Sequence, residues 1–286
     1  MINSAQIPTL TNTDILVVGA GSAGCMAALS AAGNQKYKVM LVERYGFAGG
    51  TSTQMLDTFY GFFTPGEQPK KVVGGLPDLV VNTLGQTNDM FLRPNTYGAG
   101  TGVNYNPERL KLVWDRLIKQ AGVQYLLHSH LVAVEPVNSE AYYCVFWGKS
   151  GFYKVNARKV IDASGDADFC HLAGFRSEIA GENEPAQSMT TTFRMSNVNL
   201  EQFEKAGGKS LLKQKMADAF ADDNYRLPRK EGSAHAMCQT NCVATVAVKV
   251  TDRNPLDPQD VTEAEIEGRE QAFAFERFFQ EQVPGY

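Results

Sequence analysis

No stretch of the chain approaches the roughly 18 consecutive apolar residues that a membrane-crossing helix needs. The opening residues, Met1 to Thr13, have neither a basic start nor an apolar run, so they do not read as a secretory signal. An excess of one charge sign is also missing. Lys and Arg number 27 against 31 Asp and Glu, a formal net charge of −4, which points away from nucleic acid and from anionic membrane surfaces. Cysteine is sparse and scattered: Cys25, Cys144, Cys170, Cys238 and Cys242 form an odd set that suggests reduced thiols and a cytoplasmic setting. No G-x-S-x-G is present, which excludes the nucleophile elbow of the α/β-hydrolases. Gly148-Lys149-Ser150 and Gly208-Lys209-Ser210 look like phosphate-loop endings. Tyr143 and Phe203 stand where a Walker A motif needs its first glycine, so neither qualifies. His128 and His130 on an extended segment would share a face, but no third ligand has a suitable spacing, so no metal is expected.

What is present is an ordinary globular composition, 43% hydrophobic and 20% charged over 286 residues, enough for a real core and about two domains. The most informative stretch is DILVVGAGSAGCMAALSAAG, residues 14–33. Ile15 to Val18 form an apolar run suited to a strand buried on both faces of a parallel sheet. Gly19, Gly21 and Gly24 complete G-x-G-x-x-G: the first permits the tight turn, the second lets a pyrophosphate approach the backbone, and the third lets the helix pack on the strand. The helix begins near Ser22, so the amides of Ser22, Ala23 and Gly24 face the phosphates, and Gly33-Asn34 ends it. A second apolar strand, residues 38–42, leads to Glu43, nineteen residues beyond Gly24, where a carboxylate accepts hydrogen bonds from ribose hydroxyls. These features define the ADP half of a dinucleotide site without choosing between NAD and FAD.

The segment after Glu43 makes that choice. Glu43, Arg44, Gly46, Gly49, Gly50 and Thr53 fill every fixed place of E-R-x-G-x-x-G-G-x-x-[TS]. Here the chain resembles the FAD-dependent oxidoreductases with a glutathione-reductase-type FAD-binding domain. The resemblance implies FAD as cofactor, with Gly49, Gly50 and Thr51 close to its pyrophosphate, ribityl chain or ring. Two later segments carry the same resemblance. Asn106-Pro107 should cap a helix whose apolar face is Leu110, Val113, Trp114, Leu117, Ile118 and Ala121, ended by Gly122. Strands at 123–127 and 131–135 follow, and in such proteins backbone near Val132 touches the adenine. The segment VIDASGD matches the family's V-I-D-A-T-G-D, with Ser164 for Thr, and implies cofactor contacts from Ala163, Gly165 and Asp166; Asp166 could also cap the next helix.

The expected fold class is α/β. A Rossmann-like FAD/NAD(P)-binding domain spans residues 1–176, with an excursion over about 61–104, and a discontinuous, partly β substrate domain follows over 177–286. TTTFRM and SAHAMCQTNCVATVAVKV should be strands of the second domain, and Thr262 with Glu265 suggests a capping box for the last helix. Cys238 and Cys242, with three residues between them, read as buried thiols, with a redox pair beside the flavin as the alternative. The implied reaction is transfer of hydride or electrons between a small organic substrate and FAD. The alternatives are an NAD-linked dehydrogenase and an inactive or partner-dependent fragment. No catalytic residue is nominated; Arg194 is a candidate to hold an anionic substrate. The family resemblance suggests that the chain is C-terminally truncated. Phe273, Phe275, Phe278 and Phe279 are spread too widely for one narrow stripe, so they should need cover from a missing segment, a partner chain or a second copy.

Overall fold

The computed structural model describes residues 6–55, 59–64, 68–94, 101–138, 141–222 and 224–286. They form two compact units. One reaches to Gln54 and resumes from Phe59 to Ile179, and the other takes in Met55 and runs from Ala180 to Tyr286. In chain order the first unit contains β1 (Thr9–Val18), α1 (Ser22–Ala32), β2 (Val39–Val42), α2 (Thr51–Gln54), β3 (Phe59–Tyr60), α3 (Leu76–Gly85), β4 (Met90–Pro94), β5 (Thr101–Tyr105), α4 (Pro107–Gln120), β6 (Gln124–Leu126), β7 (His130–Asn138), β8 (Ala141–Gly148), β9 (Gly151–Asp162) and α5 (Asp168–Leu172).

Its main sheet has the order β6-β2-β1-β9-β8-β7. The first four strands are parallel, and β7, β8 and β9 form an antiparallel meander. The apolar run of β1 lies at the centre, with Ile15–Val18 opposite Val39–Val42 on one side and Lys159–Asp162 on the other. Because side chains alternate across a strand, this run feeds two cores. Val17 and Leu41 join Leu110, Trp114 and Ile118 on the helical face. Leu16, Val18, Met40 and Val42 join Phe146, Val155 and Phe169 on the other. Helix α4 follows its sequence pattern: the Asn106 side chain accepts from the amides of Glu108 and Arg109, and Leu110, Val113, Trp114, Leu117 and Ile118 are buried.

The described part of residues 61–104 is more than an excursion. It carries α3 and, with neighbouring residues, the antiparallel sheet β3-β5-β4. Val80, Leu84 and Tyr105 enter the same core as Trp114. Gly148-Lys149-Ser150 belongs to the tight turn between β8 and β9, where Gly148 pairs with Gly151. Gly33 follows α1 in a right-handed conformation, φ −59°, and the left-handed residue is Gln35.

The second unit contains β10 (Thr192–Met195), α6 (Leu200–Lys205), α7 (Gly208–Asp222), β11 (Ser233–Ala236), β12 (Val243–Val246) and α8 (Pro258–Gln282). Its antiparallel sheet has the order β10-β12-β11. The core is aromatic. Phe275, Phe278 and Phe279 are buried with Met195, Phe203 and Met216, and Tyr286 stacks on Phe279 at 4.6 Å. Cover for those three rings thus comes from this chain, a correction to the sequence expectation; Phe273 is 70% exposed. Cys238 and Cys242 are half-buried thiols rather than fully buried ones. No helix among the described residues is long and apolar enough to cross a membrane.

Helix α8 begins one turn earlier than its sequence suggested. Asp257 accepts from the amides of Gln259 and Asp260, and Pro258 takes the first helical position. Thr262 instead donates to the Pro258 carbonyl, and Glu265 pairs with Arg269. Asp257→Ala should therefore cost about 1 kcal/mol of stability, and Thr262→Ala should cost less than half of that. Chemical unfolding of the two variants distinguishes them, and equal losses would restore the later start.

Candidate dinucleotide site

Three segments meet at the carboxyl ends of β1, β2 and β9, where open parallel sheets bind ligands. The first is the glycine turn. Gly19 has φ +92°, and a Cβ there would lie 2.3 Å from the Ala163 carbonyl oxygen. A Cβ on Gly24 would lie 1.8 Å from the Gly19 carbonyl oxygen. Both glycines are thus required by the protein's own backbone. Gly21 differs. Its φ of −63° and ψ of 178° suit any residue, and the nearest atom to an added Cβ is 3.9 Å away. Among the described residues only the Gly50 Cα comes within 4 Å of that position. Gly21 also precedes the first turn of α1, which has no side-chain cap and no acidic residue, so its positive end is unneutralised there.

The second segment follows β2. The Gly49 amide donates to the Ala20 carbonyl at 2.8 Å, and Gly49 bridges Gly21 as a parallel pair. Gly50 is left-handed, φ +55°, and a Cβ on it would lie 2.9 Å from the Gly21 Cα. The double glycine therefore packs directly on the glycine turn. Thr53 secures it from behind by donating to the Ala48 carbonyl at 2.6 Å. Gly46 makes room for the His128 ring, which an added Cβ would meet at 2.8 Å. Thr51, at the start of α2, is exposed. Beside this junction the Ser22 hydroxyl lies 3.1 Å from that of Ser52 and 3.4 Å from that of Tyr60. Burial pushes the Tyr60 phenol above its ordinary pKa, so it stays protonated. Cys25, on the buried side of α1, is likewise pushed up to about 12 by burial and is no nucleophile.

Glu43 joins the two segments. It is 6% exposed. One carboxylate oxygen accepts from the Ala20 amide at 2.7 Å, the other from the Tyr45 amide at 2.9 Å. Each oxygen keeps a second lone pair for a ligand hydroxyl. Glu43 also lines a cavity of about 270 Å³ with Val18, Gly19, Arg44 and Ser164, a volume suited to one end of a dinucleotide. Arg44 is exposed and lies over the Tyr45 ring.

The third segment follows β9. Asp162 accepts from the Ser164 amide and hydroxyl and from the Cys170 amide. Burial raises the Asp162 pKa, but these hydrogen bonds outweigh it and hold the carboxyl below the ordinary Asp range. Ser164 in turn accepts from the Asp168 amide at 2.8 Å. Asp166 does not cap α5: that position belongs to Ala167, left-handed at φ 59°, with no side-chain bond. Gly165 and Asp166 are exposed, while Ala163 packs against Gly19 and Gly24. Val132 falls in the register shift between Leu131 and Ala133, with no residue opposite it in β8.

Sequence reasoning missed part of the cavity wall. Ser129, His130, Leu131, Asp168 and His171 line it, and Val132 does not. His128 and His130 do not share an extended face, because His128 is left-handed at φ 53°. His128 meets Gly46, whereas His130 lies against Trp147 at 5.8 Å. Their signal in the sequence was position alone, directly after a strand of the parallel sheet.

The profile of the family described as FAD dependent oxidoreductase matches residues 14–286. The chain belongs to the FAD-dependent oxidoreductases. Among solved structures it is similar to the p-nitrophenol 4-monooxygenase PnpA from Pseudomonas putida DLL-E4, with 12% identity, a TM-score of 0.54, and coverage of 96% of this chain and 64% of that one. It is also similar to the OxyS anhydrotetracycline hydroxylase from Streptomyces rimosus, at 15% identity and TM-score 0.52, over 92% of this chain and 50% of that one. A geranylgeranyl bacteriochlorophyll reductase-like protein from Thermoplasma acidophilum gives 15% identity and TM-score 0.52, over 96% and 63%. The chain thus spans between half and two thirds of the length of these structures, and the likeness shows a shared fold. No curated protein matches it.

The site of this FAD-dependent oxidoreductase fits the ADP half of FAD by its own structure: open space at Gly21, an uncapped helix end and a buried carboxylate with free lone pairs. Glu43 also has a job that does not need the cofactor. In Glu43→Gln the amide nitrogen would face a backbone N–H at either Ala20 or Tyr45. That should cost about 1–3 kcal/mol and lower the thermal midpoint of the cofactor-free chain. An unchanged midpoint would show that the carboxylate does not hold the turn.

Proposed function

We propose that the first unit binds FAD through the glycine turn and that the chain transfers hydride or electrons between a small organic substrate and that flavin. The observation that carries this reading is Gly21, a glycine that neither its conformation nor its neighbours require, placed between an uncapped helix end and Gly49-Gly50. Gly19 and Gly24 shape the turn. The amides of Ser22, Ala23 and Gly24 receive the diphosphate. Glu43 takes the adenosine ribose hydroxyls, with Arg44 at the rim, and the bulge at Val132 offers backbone groups to the adenine. Gly49, Gly50 and Thr51 lead toward the flavin side, with Ala163, Gly165 and Asp166 opposite. When bound, FAD supplies the redox chemistry; the protein orients it and excludes water.

The second unit is the substrate side. The docked double glycine favours FAD over NAD, because it lengthens the site beyond an ADP half. The odd, scattered set of five cysteines supports a reducing, cytoplasmic setting. The exposed Phe273 ring is the remaining candidate for cover by a partner chain or a second copy. The formal charge of −4 disfavours nucleic acid.

Gly21→Ala tests the proposal. The variant should keep the wild-type circular dichroism and thermal midpoint and lose at least about tenfold in FAD affinity, equivalent to about 1.4 kcal/mol. Gly24→Ala should fail to fold normally. Fluorescence titration of the purified chain with FAD, FMN and NAD should rank FAD first. Full FAD affinity in a folded Gly21→Ala variant would mean that the turn does not hold the phosphates.

A further inference from the structure

One edge of a guanidinium in the second unit has no hydrogen-bond partner among the described residues. Arg194 lies in β10, opposite Ala244 of β12, which in turn lies opposite His235 of β11. Its neighbours Phe193 and Met195 pack into the aromatic core. Alternation therefore puts Arg194, Ala244 and His235 in one row on the other face of the sheet. The small Ala244 leaves the centre of that row low. The Nε and Nη2 atoms of Arg194 are both buried, and neither has a hydrogen-bond partner among the described residues. None of the ion pairs among those residues includes Arg194. Glu276 shares a cavity of about 450 Å³ with Arg194, Ser196, Asn197 and Gln280 but forms no ion pair with it. Burial raises the pKa of the nearby Cys242, and the Arg194 charge works against that rise.

A charged donor removed from water and left unpaired is costly, and buried donors in native proteins are nearly always satisfied. The two orphaned donors form a chemically specific pair. Nε–H and Nη2–H form one side of the planar guanidinium and point in parallel, the fork that takes both oxygens of a carboxylate. We infer that Arg194 is a substrate-binding residue and that the substrate carries a carboxylate, gripped side-on by the Nε–Nη2 edge. Arg194 is among the residues that line the cavity beside β10. Ser196, Asn197 and Gln280 supply uncharged polar groups along it. As an assignment of substrate class this rests on the second unit being the substrate side of a flavin oxidoreductase; the carboxylate site itself does not.

The test uses the purified chain, titrated with sodium acetate, sodium benzoate and sodium sulfate at an ionic strength held constant with chloride. Thermal midpoint and heat of binding are followed. Acetate or benzoate should raise the wild-type midpoint, and sulfate should do less. Arg194→Lys keeps the charge and loses the fork, so it should bind the carboxylate about ten- to hundredfold more weakly. Arg194→Met should lose the response altogether. Without ligand, its midpoint should equal or exceed that of wild type, because an unpaired buried charge has been removed; a merely structural arginine would lower it. The inference is overturned by a wild type that ignores carboxylates, by sulfate binding more tightly than either carboxylate, by a full response in Arg194→Met, or by a lowered ligand-free midpoint in both variants. FAD binding is scored separately. A wild type that responds to carboxylate and binds no FAD supports the site and refutes the flavoprotein reading. Loss of FAD from Arg194→Met with its carboxylate response intact would give Arg194 to the cofactor and overturn the inference.

Discussion

The close approach of the β1–α1 turn to the end of β9 is the constraint on which the rest of the first unit depends. Gly19 comes so near the Ala163 carbonyl that no side chain fits between them, and Gly24 sits equally close to Gly19. That contact brings the turn, the β9 end and the start of α1 within reach of one ligand. It also fixes where β2 must end, because the Gly19 amide donates to the Val42 carbonyl and the Ala20 amide to Glu43. The two cores on either face of β1 hold the strands in register. The glycines convert that register into a site, because each lets backbone lie where a side chain would otherwise stand.

Much of this was legible in the sequence because it is local. The apolar run of β1, the glycine spacing, the capped and amphipathic α4 and the double glycine after Glu43 are patterns within a few turns of chain. What escaped was long-range or depended on competing caps. Ser129, His130, Asp168 and His171 line the cavity only because β7 and α5 come back to the end of β2, and no spacing announces that return. Asp257 and Thr262 both precede acidic residues at capping distance; the choice went to Asp257, whose successor is a proline suited to the first helical position. The aromatic residues of α8 misled for a related reason. A helix whose rings cover a wide arc looks unpartnered in isolation, yet Phe275, Phe278 and Phe279 are enclosed by β10, α6 and the chain's own final residues.

The candidate site also separates two kinds of glycine that sequence motifs treat alike. Gly19, Gly24 and Gly50 would be needed in any protein that folds this way, since backbone atoms occupy the place of their side chains. Gly21 would not. Only a motif position that the fold itself leaves free can report on a ligand, and this is why Gly21 carries the functional argument while its neighbours carry the structural one.

The same reasoning runs in the opposite direction for polar groups. Glu43 is buried with one backbone amide on each carboxylate oxygen, so its burial is explained without a ligand, and its proposed ligand role rests on the lone pairs left over. Asp162 is likewise accounted for by Ser164 and Cys170. Arg194 has no such account: two donors on one edge are buried, and neither has a partner among the described residues. Those two donors lose their hydration and gain no partner among the described residues in return. A folded chain keeps such a group where something outside the chain completes it, and the parallel donors of that edge ask for two oxygens on one carbon.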